Sequence, residues 1–370
     1  MTLGLYIHLP FCRTHCSYCA FAISTDVGLQ DEYADAVVRE ASSALGPRSS
    51  VEVESIYFGG GTPSRMSIEN LEKITDAVNR GPRTEDRGRP FEFSMECNPE
   101  DITSESIAAW RELGVNRISI GVQSFHDAEL LPIGRIHGAD RAREAVSLAV
   151  GSGVRTNLDL IAGIPNQTAD SFAETLDIAT SLGVGHISVY MLDLEEKSPL
   201  RVQVSRGRAV LPEDELVAEM YVDAIDRLGR VGLRQYEISN FARPGEECIH
   251  NLRYWTRGEY RGFGLAAHSF INGERFANTR DIHRYIAQSP NAVDFTERLT
   301  DDDVRRETIF LQLRQTTGIH YAELEALCGQ EGTEWIVQGL RDGWLEQRGP
   351  RVAFSPSGFL LSNEFISQLF

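Results

Sequence analysis

Three of the six cysteines fall within eight residues, as Cys12-x3-Cys16-x2-Cys19, directly after the apolar run Leu3 to Leu9. Thiolates this close can converge on one metal centre from a single loop, and iron–sulfur clusters are held by cysteine thiolates. A four-iron cluster bound by three cysteines leaves one iron without a protein ligand, open to an exogenous chelator. A zinc knuckle would want a fourth Cys or His at short range. His8 and His15 are the nearby candidates, and no second cysteine pair follows. A disulfide framework suits the pattern poorly, since three clustered cysteines leave an odd thiol and Cys97, Cys248 and Cys328 are scattered. These last three read as ordinary half-buried thiols.

Further polar residues sit where apolar ones would be easier to bury. Gly59-Gly60-Gly61-Thr62-Pro63 follows the apolar run Ile56-Tyr57-Phe58, and glycines there let backbone approach a ligand closely. Glu96 and Gln123 close two strand-like runs, and Asp159 lies inside a third, Asn157 to Ile161. A carboxylate or amide in an apolar strand is costly without a partner, so three of them at successive strand ends suggest one polar ligand. His250-Asn251-Leu252-Arg253-Tyr254-Trp255 sets an imidazole beside two aromatic rings. That combination offers a nitrogen ligand and flat apolar surface, as an iron porphyrin requires, although a His near Tyr and Trp more often marks core packing. His268 is a second candidate ligand.

The cysteine spacing, with Tyr6-Ile7-His8-Leu9-Pro10-Phe11-Cys12 leading into it, resembles the radical S-adenosylmethionine (SAM) superfamily. The resemblance implies a [4Fe-4S] cluster on Cys12, Cys16 and Cys19. It implies that SAM chelates the open iron, and that a reducing electron donor supplies the electron that cleaves its sulfonium. Gly60, Gly61 and Thr62 match the superfamily's SAM-contacting GGGTP motif. Glu96, Gln123, Asp159, Tyr6 and Arg135, twelve residues after Gln123, match SAM contacts in the oxygen-independent coproporphyrinogen III oxidase branch. Two departures count against porphyrinogen decarboxylation. The oxidase extends its motif to a fourth cysteine where this chain has Phe21, and it carries a longer N-terminal cover, whereas this chain starts five residues before Tyr6. The His250 segment instead matches the HNxxYW motif of the branch's haem-chaperone members. That match implies a carrier that binds haem through an accessible His250 and delivers it to an apo-haemoprotein; the oxidase remains the alternative.

Periodicity indicates what positions these residues. Short β-rich runs at Leu3–Leu9, Ser55–Phe58, Phe91–Glu96, Arg117–Gly121, Thr156–Ile161 and His186–Leu192 alternate with helical spacings. Gly114, Gly151 or Gly153, Gly183 and Gly229 follow as helix caps. Alternating units predict a parallel sheet with right-handed crossovers. Six units are too few for a closed eightfold barrel and match the α/β, partial (βα)6 barrel that the resemblance implies, with functional residues at strand C-termini. The expected divisions are a core over 1–234, a connecting segment carrying the HNxxYW motif over 235–300, and a mostly helical, winged-helix-like domain over 301–370. The stretch Asn79 to Pro90 reads as an exposed loop.

Composition narrows the partners. A net charge of −18 argues against general nucleic-acid binding, which needs Lys and Arg on phosphates. Residues 301–370 hold 11 acidic and 6 basic side chains, net −5, so the winged-helix pattern is not expected to read DNA. No apolar run approaches the ~20 residues of a membrane helix, and the N-terminus lacks a signal-peptide core. Free clustered cysteines then imply a reducing compartment, with cytoplasm the expectation.

Overall fold

The computed structural model describes residues 2–46, 51–79, 90–194 and 198–368. The loop expected over Asn79 to Pro90 falls almost wholly outside the described residues.

The six expected runs form β1 (Thr2–Leu9), β2 (Glu52–Gly60), β3 (Glu92–Cys97), β4 (Arg117–Gln123), β5 (Arg155–Ala162) and β6 (His186–Met191). Each pairs in parallel with the next. Parallel neighbours need a crossover, usually a helix. The helices Gln30–Leu45, Ile68–Val78, Ser104–Glu112, Ala139–Gly151 and Ala169–Ser181 provide them. Gly114, Gly153 and Gly183 take φ of 97°, 76° and 80°, as expected of left-handed caps. Gly229 does not. The helix Asp214–Arg230 runs through it, and the left-handed turn falls at Gly232.

Both edges of this core are extended. On one side β6 meets β8 (Asn240–Ala242), which pairs with β7 (Arg234–Gln235). On the other, β1 pairs in parallel with β9 (Tyr260–Phe263), followed outward by β10 (His268–Ile271), β11 (Glu274–Asn278) and β12 (Val293–Arg298). Residues 235–300, read from sequence as a connecting segment, therefore supply strands to the same twelve-stranded sheet. Beyond them, Ile319–His320, Leu345–Arg348 and Arg351–Phe354 form a three-stranded antiparallel sheet with the helices Asp301–Leu313 and Tyr321–Asp342. That is the helix–strand–helix–hairpin order expected of a winged helix. Among the described residues no helix is long and apolar enough to cross a membrane.

Candidate functional site at the strand ends

Successive side chains alternate across a strand, so one face of the six-stranded core carries a connected set. Tyr57, Glu96, Ser119, Gly121, Asn157, Asp159, Ser188 and Tyr190 all line one cavity of about 490 Å³. Cys12, Cys16, Cys19, Gly60, Gly61, Thr62, Gln123 and Arg135 complete its wall. Ten of the eleven residues assigned from sequence to the cluster and SAM, all but Tyr6, thus meet in one place.

The cysteine loop is tied down at several points. Cys12 N–H donates to Ser24 O at 2.9 Å and Ser17 N–H to Ile133 O at 3.1 Å. The Thr62 hydroxyl donates to Cys12 Sγ at 3.3 Å, and Arg135 Nη1 lies 3.6 Å from Cys16 Sγ. All three thiols are half-buried and face the cavity. Among the described residues no three His, Cys, Asp or Glu side chains converge on a single-ion centre.

Backbone and polar side chains shape the adjoining wall. Gly60 has φ 106°, and a Cβ there would sit 2.4 Å from the His8 ring; one on Gly61 would sit 2.5 Å from the Pro10 carbonyl carbon. Glu96 accepts from the Tyr57 hydroxyl and the Gly60 N–H, both at 3.0 Å. Asp159 accepts from the Ser119 hydroxyl and Asn157 Nδ2, also at 3.0 Å. Arg135 Nη2 reaches Asn98 Oδ1 at 2.7 Å and Gly121 O at 2.6 Å, while its buried Nε has no hydrogen-bond partner among the described residues. An unmatched buried donor beside two carboxylates suits a zwitterionic ligand, because each charge it brings finds an opposite.

Burial, followed by the nearby Asp159 charge, pushes the Glu96 carboxyl up to about 7, and burial likewise raises Asp159. Between pH 4.5 and 7 the folded chain therefore holds a proton on Glu96 that the unfolded chain has lost, so this residue's contribution to stability falls as pH rises. The E96Q variant should gain stability relative to wild type across that window and hold a constant difference above it. Urea denaturation midpoints of the two proteins over a pH series measure this; parallel curves would refute it.

Tyr6 and His250 are not in the cavity wall. The Tyr6 hydroxyl meets His8 Nδ1 at 3.2 Å, and the His8 ring backs onto Gly60, so Tyr6 supports the glycine turn from behind. His250 requires a larger correction. It is 0% exposed, with Nδ1 2.9 Å from the Ser55 hydroxyl and Nε2 2.9 Å from the Tyr254 hydroxyl. Its ring stacks on Tyr57 at 5.1 Å, and burial lowers its pKa to about 3. An accessible iron ligand it is not.

The helix Ile249–Trp255 instead plugs the interior of the partial barrel. Glu92 Oε2 accepts from Arg117 Nε at 2.8 Å and from the Ile249 N–H at 3.1 Å, and Oε1 accepts from the His250 N–H at 3.1 Å. Both members of the Glu92–Arg117 pair are buried. Cys248 Sγ donates to the same carboxylate at 3.2 Å, and Cys97 and Cys248 are fully rather than half-buried. Asn251 of the motif does reach the cavity. Sequence reasoning passed over Asn98, Ser119, Asn157 and Ser188. The signal for the strand residues was present: Ser119 with Gly121, and Asn157 with Asp159, recur at the two-residue period of one strand face.

This barrel, with a three-thiol loop at its strand ends, defines a class of protein, and residues 6–179 match the family model described as the Radical SAM superfamily. The heme chaperone HemW of Bacillus subtilis is 34% identical over 97% of this chain and 97% of its own length. HemW of Escherichia coli is 32% identical over 98% and 97%. The chain belongs to the HemW family within the radical SAM superfamily. The solved structure of Escherichia coli HemN, a coproporphyrinogen III oxidase, superposes with a TM-score of 0.84 at 23% identity, covering 100% of this chain and 90% of that one. That likeness concerns the fold.

Proposed function

We propose that this chain is a cytoplasmic haem chaperone that binds a [4Fe-4S] cluster, SAM and haem, and delivers haem to an apo-haemoprotein. The observation that carries the reading is the likeness, along nearly the whole chain, to proteins named heme chaperones. Phe21 supports it against the oxidase alternative: where the oxidase motif has a further cysteine, this chain sets a ring that is 67% exposed at the cavity rim.

Cys12, Cys16 and Cys19 would hold the cluster. Gly60, Gly61, Thr62, Glu96, Gln123, Arg135 and Asp159 would hold SAM. A cluster bound there supplies one-electron reduction, fed by an external reducing donor. The chain's own residues orient and enclose. The glycine turn offers backbone without a side chain in the way, Glu96 and Asp159 offer acceptors, and Arg135 offers a desolvated donor. Tyr6 and His8 fix the turn from behind.

Anaerobically prepared protein tests the reading directly. It should take up about one haem per chain, as a single axial-ligand site requires, and release it to an apo-haemoprotein on mixing. With SAM and reductant it should leave coproporphyrinogen undecarboxylated. Robust decarboxylation together with no haem uptake would return the chain to the oxidase.

A further inference from the structure

A haem ligand must present a ring nitrogen that is reachable and not already committed. Of the nine histidines, His8, His137, His186 and His250 are buried and His126 is half-buried, while the exposed His15 sits inside the cysteine loop with Nε2 on Cys19 O. His268, His283 and His320 are exposed, and no ring nitrogen of theirs is hydrogen-bonded among the described residues. Of these three, His268 is the one packed against an aromatic ring: Phe295, with centroids 6.5 Å apart and planes at 50°.

The pair sits on prepared ground. His268 opens β10 opposite Ala277 of β11, which in turn lies opposite Phe295 of β12. Residues directly opposite share a sheet face, so imidazole, methyl and phenyl form one row. Phe295 is 42% exposed and neighbouring Val293 37%. The loop leading to His268 is pinned: Gly264 N–H donates to Glu40, Leu265 N–H to the Tyr33 hydroxyl and Ala266 N–H to Thr279 O. Because β9 runs parallel to β1 and β10 antiparallel to β9, His268 lies at the end of the sheet where β1 delivers the cysteine loop. Arg280 joins the two regions through Nη2–H to Ala20 O at 3.2 Å, one residue past Cys19. Arg280 is exposed and has no carboxylate partner among the described residues, in a chain of net charge −18. Arg275, by contrast, is bound to Glu297 and Glu307.

Resting on the haem reading above, we propose that haem docks on this sheet edge, with His268 as axial ligand to the iron. Phe295 and Val293 lie against the macrocycle, and Arg280 faces a propionate. The charge fits, since a guanidinium free of other carboxylates binds a carboxylate through paired donors. Partial burial and the charges of Arg275 and Arg280 lower the His268 pKa, which keeps the ring in the neutral form that ligates metal.

Haemin titration into the cluster-loaded full chain tests the site, comparing wild type with H268A, F295A and R280E. Iron–sulfur absorbance and the melting temperature serve as controls for folding. H268A should lose about tenfold or more in haem affinity, equivalent to about 1.4 kcal/mol or more, with a shifted Soret band that added imidazole restores. F295A and R280E should weaken binding severalfold without moving the band. Wild-type affinity and Soret position in both H268A and F295A would overturn this site while leaving the haem reading intact, as would a loss in H268A that imidazole does not restore. Failure of the wild type to take up haem would overturn both.

Discussion

Replacing any one of Cys12, Cys16 or Cys19 by Ala is expected to abolish the iron–sulfur centre outright. A cluster held by three thiolates has no spare protein ligand, so removing one leaves only two of the thiolates that the loop supplies. Wild-type protein reconstituted without oxygen should carry about four irons and an absorbance shoulder that bleaches with dithionite; each single variant should show neither. The fold should survive. The thiols are half-buried at the edge of a cavity, where trimming Sγ leaves no enclosed void, and the loop keeps its backbone bonds, among them Cys12 N–H to Ser24 O and Ser17 N–H to Ile133 O. Melting temperatures within a few degrees of wild type are therefore expected alongside the loss of iron, in keeping with about 1 kcal/mol or less for such sites. Stoichiometric zinc in the anaerobic wild type would sink the cluster assignment.

The contrast between loop and plug shows what sequence could carry. The cysteine loop, the glycine turn and the strand-end carboxylates are local signals, each readable from a few adjacent residues and a strand boundary. Their meeting followed from the alternation of six βα units, because a parallel sheet places all its strand C-termini at one end. The outer strands were harder to read. β9 carries Arg and Gly in Tyr260-Arg261-Gly262-Phe263, and its arginine is accommodated by distant partners, with its guanidinium 4.5 Å from the Phe276 ring centroid and 3.5 Å from Glu40 Oε1. β12 is exposed at every position, so no apolar alternation marks it. His250 was misread for a different reason. A His flanked by Tyr and Trp reads the same whether it faces solvent or core, and the residues that decide the matter, Ser55, Tyr57 and Glu92, lie far away in sequence.

His250→Ala should therefore destabilise the fold strongly while leaving a haem-binding surface on the sheet edge untouched. The substitution removes a fully buried ring, leaves the Ser55 and Tyr254 hydroxyls without their partner, and takes away the surface on which Tyr57 stacks. A cavity of aromatic size together with unpaired buried hydroxyls costs about 3–5 kcal/mol. The damage should also reach the cavity, since the Tyr57 hydroxyl donates to Glu96 and Asn251 follows His250 into the wall. SAM affinity should fall as a result, read as a weaker effect of SAM on the EPR spectrum of the reduced cluster. Glu92→Ala should act in the same direction and at least as strongly. It would strand the buried Arg117 guanidinium and release the amides of Ile249 and His250, and breaking a buried ion pair from one side costs about 3–5 kcal/mol. Urea denaturation of the two variants, followed by haemin titration under conditions where both remain folded, separates the roles. Reduced stability and SAM binding with wild-type haem affinity is the expected pattern. A stable H250A protein that has lost haem binding would restore His250 as the iron ligand and require the helix Ile249–Trp255 to swing out of the barrel to expose it.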